Sequence, residues 1–542
     1  MKNTISNVIN AIIKKEKLIA VIVLIVMAAA GLAVTDGYGV PLDEELELNI
    51  LSSNVREYAL HVPGRLGAKL QNATAGIEPI SESDEKDHGI SAYYAYVPIQ
   101  LVLGKTQYKT LAFHMYTFVI FIMGVLALYG IVHMYTHSVW MSLVGALMLY
   151  LSPRMFGEGH YNNKDMVAMA FVLITMYFGI RMIREKKYRY AVAFALAAAI
   201  ATNTKIIGAW FYGIIGIVYL VILIVTGELK KRNVGVGLAA IAAYVIFYVM
   251  LTPAMWSDPA GFIEYIVKYA NNFERWDNRL LFEGTVYRYS VNPPPAYYLP
   301  KMILITTPLY VLILTGIGAV MTVYNAAKSR FKDRMAAASA LNLILWVFPI
   351  VFAVVGRTRI YNGWRHFYFV YGPMIITASY GAWQLFMNSK RVVSYSCRVC
   401  AVAAVVITAL GIVANNPHEF AYFNILAGSD VEERYEMDYW LVSTKEALMR
   451  LYEQQYDGSD NIRIAAVGTL GYNSIWKVTS TLPQQTAEVF VPGTEEESAQ
   501  YYFYNPYSLL LDEKAKLYIA DREKAVVIRA YGREISCFYK VY

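Results

Sequence analysis

The feature that most constrains this chain is a succession of long apolar runs broken by short basic loops. A bilayer core takes about 20 apolar residues per helix. Candidate spans fall at 18–35, 111–134, 138–152, 166–183, 189–203, 206–226, 234–252, 301–323, 337–356, 367–387 and 398–415, about eleven in all. Two of them, 138–152 and 189–203, are short for a full crossing. Composition agrees: 57% of the 542 residues are hydrophobic and 16% charged, where a soluble chain carries about 25% charged residues. Lipid must therefore solvate much of the surface.

Lys and Arg in short loops mark the cytoplasmic side. With the N-terminal tail (1–17) inside, the loops after the fourth, sixth, eighth and tenth spans fall inside as well. They carry Arg184, Lys186, Lys187 and Arg189; Lys230, Lys231 and Arg232; Lys328, Arg330, Lys332 and Arg334; and Lys390, Arg391 and Arg398. This makes an integral, multi-pass membrane protein with its N-terminus on the cytoplasmic side the expectation. Outer loops are then expected at 36–110, 153–165, 253–300 and 357–366, with everything from 416 outside. The run after Lys14, Lys15 and Lys17 imitates a signal peptide, but Thr35-Asp36-Gly37-Tyr38 is not a small-x-small cleavage site, so it reads as an uncleaved first span. Within the first outer loop, 44–60 reads as a helix lying along the interface.

The tail changes character. A helix is expected over 435–455, with Leu441, Ala447, Leu448 and Leu451 on one side. Arg463–Val467, Ala487–Val491, Ala525–Tyr531 and Glu534–Val541 read as strands, the last two joined through Gly532-Arg533. The expected organisation is a membrane domain over 18–415 and a small extracytoplasmic α/β domain over 416–542. A net charge of +7, without basic motifs interleaved with aromatics, does not point to nucleic acid. Cys397 and Cys400 sit at the edge of an apolar run, where helix packing is the better reading than zinc or redox work, and Cys537 stands alone. Asn72-Ala73-Thr74 is a glycosylation sequon that matters only in a host that uses it.

Charged residues near membrane depth are costly and so are candidates for function. Asp43-Glu44 lies just beyond the first span. A carboxylate there suits a general base that takes a proton from an acceptor hydroxyl; it equally suits a helix N-terminus with Asp43 as cap. The run Ser152-Pro153-Arg154-Met155-Phe156-Gly157-Glu158-Gly159-His160-Tyr161-Asn162-Asn163-Lys164-Asp165 places two cations, Arg154 and Lys164, on the side where positive charge is scarce. Arg as a planar fork and Lys as a point charge suit a phosphate-bearing lipid. His160, Tyr161 and Asn163 are candidate substrate contacts, and Asp165 is either a second carboxylate or the cap of the next helix. The run Arg357-Thr358-Arg359-Ile360-Tyr361-Asn362-Gly363-Trp364-Arg365-His366 is again rich in Arg. Tyr361, Trp364 and His366 suit sugar stacking, although an interfacial aromatic belt and a structural histidine are the commoner uses. Tyrosines and prolines crowd 287–298. Neither a P-loop, nor a nucleophile elbow, nor H-E-x-x-H, nor a dinucleotide fingerprint is present, which argues against a soluble nucleotide donor.

Asp43-Glu44, Ser152-Pro153-Arg154 with Asn163-Lys164-Asp165, Thr306-Thr307-Pro308, Gly363-Trp364-Arg365-His366, Tyr422-Phe423-Asn424 and Asp438-Tyr439-Trp440 occur in that order from 43 to 440. In this pattern the chain resembles the GT-C glycosyltransferases, and within them the bacterial-type branch of protein O-mannosyltransferases and lipid A aminoarabinose transferases (glycosyltransferase family 39). The tail after about 460 carries no part of the resemblance. The resemblance implies an all-α polytopic membrane fold with the small C-terminal α/β domain appended. It also implies a polyprenyl-phosphate sugar donor, transfer to an acceptor on a protein, lipid or glycan, and inversion at the anomeric carbon. On that template Asp43 is the base, Glu44 its neighbour and Asp165 the second acid, while Arg154, Lys164 and Arg365 hold the donor phosphate. Some relatives in the wider fold place a divalent cation, Mg or Mn, at the acidic pair; the branch resembled here generally does not.

Two other readings fit parts of the pattern. A transporter or flippase of lipid-linked saccharides explains spans, cations and aromatics, but predicts charges deep inside spans and internal repeats. Few such charges and no repeat are seen. A membrane sensor would place its activity in the tail.

Overall fold

The computed structural model describes residues 2–271, 279–466, 468–493, 499–506, 519 and 521–541. Residues 272–278 of the 253–300 loop, and Val467 at the end of an expected strand, lie outside the described residues. Among the described residues, eight helices are long and apolar enough to cross a membrane: Lys15–Gly37, Lys109–Thr136, Asp165–Glu185, Ile207–Val225, Lys231–Leu251, Leu309–Ser329, Arg334–Gly356 and Arg391–Asn415. The chain is a largely α-helical, multi-pass membrane protein with a small C-terminal β-sheet domain.

Against the expected eleven, these are eight candidates by length and composition, or nine if a bent pair is one span. That pair replaces the expected 138–152: Val139–Tyr150 meets Pro153–Tyr161 at 68°. Pro153 brings no N–H and keeps Ser152 extended (ψ 112°), so the first helix stops and a second starts in a new direction. At 189–203 stands Tyr188–Thr204, 17 residues long. At 367–387 a 3₁₀ turn, Arg365–Val370, leads into the 16-residue helix Tyr371–Phe386. Every residue from Tyr371 to Ala382 is buried, so this helix meets protein rather than lipid and need not match the bilayer in length. Arg391–Asn415 is the opposite case, with Ile412 alone buried among its residues.

Side-chain contacts sort the helix ends into two groups. At one end Trp140 Nε1 donates to Glu16 Oε1 (3.1 Å), Arg184 Nη1 to the Met134 carbonyl (3.1 Å), and Lys186 pairs with Glu228 (2.6 Å). At the other, Asn203 Oδ1 accepts from the Ser91 N–H (2.9 Å), Tyr94 donates to the Leu251 carbonyl (2.9 Å), and Trp364 Nε1 donates to Thr306 Oγ1 (2.7 Å). The long loops and the C-terminal domain gather at this second end.

The first long loop contains the helix Glu44–His61, as its sequence suggests. Acids at Glu44, Glu45 and Glu47 suit its first turn, where the backbone N–H groups face outward. Its buried face is not the apolar stripe of an interfacial helix, however. Glu44, Glu47, Asn54 and Glu57 point inward with Ile50 and Leu51, while Leu46 is exposed. Inward polar groups of this kind need partners, and they find them: Glu57 Oε2 accepts from Ser81 Oγ (2.6 Å), and Asn54 Oδ1 from Tyr94 (2.9 Å).

Two strands, β1 (Leu280–Phe282) and β2 (Thr285–Tyr287), form a hairpin in the second long loop. Among the described residues the C-terminal domain has five more: β3 (Ile462–Ala466), β4 (Phe490–Pro492), β5 (Tyr501–Tyr504), β6 (Lys524–Ala530) and β7 (Arg533–Lys540). They order as β4-β3-β5-β7-β6, parallel across β4-β3-β5 and antiparallel across β5-β7-β6. The β6–β7 hairpin turns at Tyr531 (φ 51°) and Gly532 (φ 77°), two left-handed residues that match the twist of the strands. The expected strand at 487–491 begins later, because Gln484–Ala487 is helical. The expected helix over 435–455 is shortened to Thr444–Gln455. It buries Ala447, Leu448 and Leu451, whereas Leu441 sits in a turn at φ 59°.

Candidate functional site

At the loop end, charged side chains from four separate segments meet. Asp43 precedes the helix Glu44–His61 but does not cap it; its side chain makes no bond to the helix N–H groups. Instead the carboxylate, 41% exposed, lies 3.3 Å from Arg365 Nη1. Glu44 faces away from it. It is buried, accepting from Thr110 Oγ1 (2.7 Å) and meeting His114 Nε2 (2.7 Å), so it anchors the helix start to Lys109–Thr136.

Arg365 is the hub. Its Nη1 also lies 4.0 Å from Asp165 Oδ2, and its Nη2 donates to the Tyr439 hydroxyl (2.9 Å). The guanidinium lies over three aromatic faces, Trp440, Tyr439 and Tyr361, at 4.6, 4.8 and 5.0 Å. Burial works against its charge, but Tyr439, Asp43 and Asp165 more than offset this, so it stays cationic. Asp165 is buried too. It pairs with Lys205 and accepts from Asn162 Nδ2 (3.1 Å), while Asn162 Oδ1 accepts from the Asp165 N–H (2.9 Å) at the start of the next helix. The cap of that helix is thus supplied by Asn162, and the Asp165 carboxylate remains for the cations.

Lys164 lies 3.6 Å from Glu47 and its Nζ makes no hydrogen bond. Arg154 is fully enclosed between the rings of Phe420 and Phe423 (4.4 and 4.7 Å), with Nε directed at the Tyr422 carbonyl (3.4 Å). Glu436 accepts from the Leu281 N–H (3.0 Å) and from Asn362, and burial pushes its carboxyl up to about 7. His366 packs against Tyr361 at 3.9 Å; burial, with Lys205 nearby, holds its imidazole well below the usual range, hence neutral.

The sequence candidates therefore separate. Asp43, Asp165, Lys164, Arg365, Tyr361 and His366 share one electrostatic neighbourhood. His160 does not join it: the ring is stacked between Tyr38 (4.4 Å) and Phe118 (4.1 Å), and both nitrogens face backbone carbonyls, of Phe156 and Gly31. Trp364 is 1% exposed and donates to Thr306, which removes it from both the aromatic belt and the substrate contacts. Tyr161 packs against Trp440 (6.0 Å) and Tyr38 (5.6 Å), and Asn163 Nδ2 is buried without a partner. Lys205 was not among the candidates, nor were Glu47 and Glu436. The signal for Lys205 was present: it is a lysine between two apolar runs, on the side where positive charge is scarce.

Four donors on the segments that meet here, Arg154 Nη2, Asn163 Nδ2, Lys164 Nζ and Arg365 Nε, are buried without a hydrogen-bond acceptor. Buried polar atoms are rarely left unpaired. Donors without acceptors mark a place for an anion rather than a cation. A divalent metal at the acidic pair does not fit: Glu44 is turned away, and the space between Asp43 and Asp165 is bridged by Arg365. Elsewhere among the described residues, Glu85, Asp87 and His88 bring ligand atoms within 4.8 Å of one another, a spacing compatible with a metal ion.

A family model described as dolichyl-phosphate-mannose-protein mannosyltransferase matches residues 92–256, well under half of the chain. No curated protein matches. Among solved structures, ArnT from Cupriavidus metallidurans bound to undecaprenyl phosphate is similar at TM-score 0.45 and 13% identity, over 96% of this chain and 97% of that one. The arabinofuranosyltransferase AftD from Mycobacteria reaches 0.41 and 11%, over 96% of this chain and 41% of that one. The oligosaccharyltransferase AglB from Archaeoglobus fulgidus, in complex with an inhibitory peptide and a dolichol-phosphate, reaches 0.36 and 10%, over 83% and 66%.

Proposed function

We propose that this chain is a membrane glycosyltransferase of GT-C type that moves a sugar from a polyprenyl-phosphate donor to an acceptor on the non-cytoplasmic face of the membrane, with Asp43 as the base. The observation that carries the proposal is the pairing of a half-exposed carboxylate, Asp43, with buried cations and orphaned donors in one cluster. The partial match to a family described by its dolichyl-phosphate-mannose donor supports the same class of substrate.

The chemistry follows from the charges. An acceptor hydroxyl oxygen attacks the anomeric carbon as the bond from that carbon to the phosphate oxygen breaks. The hydroxyl proton passes to the Asp43 carboxylate, and the electron pair of the broken bond leaves with polyprenyl phosphate. Attack opposite the leaving group inverts the configuration. Arg365, Lys164 and Lys205 stabilise the leaving phosphate, and low exposure strengthens each of these interactions. Asp165 holds Lys205 and Arg365 in place. Tyr361 and His366, beside Arg365, face the sugar-phosphate. Arg154, clamped between two rings, adds a fixed positive charge at longer range. The sugar is mannose or another hexose or pentose, and the acceptor a protein, lipid or glycan.

The test is transfer of radiolabelled sugar from polyprenyl-phosphate donors by purified protein. Asp43→Asn is expected to lower the rate by about 10²–10⁴-fold, the range for loss of a general base, with an unchanged fold. EDTA is expected to leave the rate unchanged. Equal rates in wild type and Asp43→Asn would refute the assignment of the base. No transfer from any donor, with saccharide movement across liposomes, would replace the reading by transport.

A further inference from the structure

Arg365 is held from two sides by different parts of the chain. The membrane helices supply Asp165, and the segment entering the C-terminal domain supplies Tyr439 and Trp440. These two neighbours close a ring. Trp440 Nε1 donates to Glu158 Oε2 (3.2 Å), Asn162 Nδ2 donates to the same oxygen (2.7 Å) and to Asp165 Oδ2 (3.1 Å), Asp165 lies 4.0 Å from Arg365, and Arg365 Nη2 donates to Tyr439 (2.9 Å).

The segment is itself fastened. Asp438 accepts from the N–H groups of Val442 and Ser443 (both 3.1 Å), and Ser443 Oγ donates to Ser536 Oγ on β7 (2.7 Å). The domain beyond it grips the loop that carries Asp43. Lys477 donates to the Leu42 carbonyl (3.2 Å) and pairs with Glu45 (3.4 Å), Lys445 pairs with Asp36 (3.2 Å), and Gly39 lies so close to the Val442 carbonyl that a Cβ there would sit 2.4 Å from the oxygen.

We infer that Tyr439 and Trp440 are positioning residues for Arg365, so that the C-terminal segment is a wall of the site and not a tether. This rests on the glycosyltransferase reading. A guanidinium is a planar fork whose donors act in fixed directions. Tyr439 takes Nη2, and the faces of Trp440 and Tyr439 fix the plane. Nη1 is thereby directed to Asp43 and Asp165, and Nε remains for the substrate phosphate. Without the Tyr439 hydroxyl the fork can turn, and its match to a phosphate is lost.

A double-mutant cycle tests this on the full chain. Tyr439→Phe keeps the ring and removes the hydroxyl. In the wild-type background it is expected to lower kcat/KM for the polyprenyl-phosphate sugar about tenfold or more, the effect of a lost hydrogen bond to a charged group. In an Arg365→Lys background, where no fork exists to be oriented, the same change is expected to cost less than about twofold. Trp440→Phe is expected to repeat the pattern. Equal losses in both backgrounds, or no loss in either, would overturn the inference, since a merely structural role adds independently. If wild-type protein transfers no sugar from any donor, the glycosyltransferase reading falls. The inference falls with it, whereas transfer by wild type without coupling between Tyr439 and Arg365 overturns the inference alone.

Discussion

Removing the Lys205 ammonium, as in Lys205→Met, isolates what the buried ion pair does. Asp165 is 3% exposed and Lys205 17%, so the aspartate cannot regain water when its partner goes. Truncating one member of a buried pair costs about 3–5 kcal/mol. Two contacts soften the loss here: Arg365 at 4.0 Å and the Asn162 amide at 3.1 Å. At an effective dielectric of 20 the Arg365 attraction alone is worth about 4 kcal/mol before desolvation, so the net cost is placed at about 2–3 kcal/mol. Lys205→Met should therefore lower the thermal midpoint in detergent by several degrees and reduce sugar transfer. The double variant Lys205→Met/Asp165→Asn removes the stranded charge. It should recover most of the midpoint, while transfer stays low because a phosphate-facing cation is missing. A single variant as stable as wild type, or a double variant no more stable than the single, would refute the argument that Lys205 and Asp165 neutralise each other inside the protein.

Glu44→Gln should destabilise the protein by about 1–3 kcal/mol, because it weakens the charged bonds to Thr110 and His114 that seat the helix start; thermal midpoints check this, and an unchanged midpoint would remove the anchoring role. Burial raises the carboxyl of Glu436 to about 7 from an ordinary 4.5. Between those two values the unfolded chain loses protons that the folded chain keeps, so stability falls as pH rises and levels off above about pH 7. Glu436→Gln should match wild type in thermal midpoint near pH 5 and exceed it near pH 8, and a constant gap across that range would contradict the assignment.

Much of the architecture is legible because hydropathy is a local property. A run such as 206–226 is apolar throughout and appears as the helix Ile207–Val225. The β6–β7 hairpin is readable for the same reason, since Gly532 marks the turn and both flanking runs are β-prone. What fails is whatever depends on neighbours. Tyr371–Phe386 looks like a lipid-facing span, but its surroundings are protein, and only tertiary packing tells the two apart. The mix of Leu46, Leu48, Ile50, Leu51 and Val55 with Glu44 and Glu45 suggests a helix lying on a membrane, whereas Glu44, Glu47 and Glu57 turn inward because Thr110, Lys164 and Ser81 wait for them. The central strand β5 went unseen because its pairing with β3 and β7 joins residues far apart in the chain.

The same division explains the site. Asp43 and Arg365 attract notice as charges beside apolar runs, but neither sequence position reveals that 322 residues of chain are closed by one contact between them. Each segment alone would be poorly placed to bury its charge. Asp165 opens an apolar helix, Lys205 ends another, Arg365 opens a 3₁₀ turn, and Asp43 precedes a helix it does not cap. Brought together, two carboxylates face two cations, and Lys164 faces Glu47, so formal charge balances across the cluster. The balance has a consequence for binding. A phosphodiester that enters a neutral cluster must draw a cation from its carboxylate partners, and Arg365 is the one that shares its charge between two of them, Asp43 at 3.3 Å and Asp165 at 4.0 Å. A phosphate held at its Nε would compete with Asp43 for the guanidinium charge and so loosen the hold on Asp43, the more exposed of the two acids, at the moment a base is needed. On the proposed function, donor binding and activation of Asp43 become one event, and the expected order of addition is donor before acceptor. Initial-rate patterns that show acceptor binding first would break this link between Arg365 and Asp43.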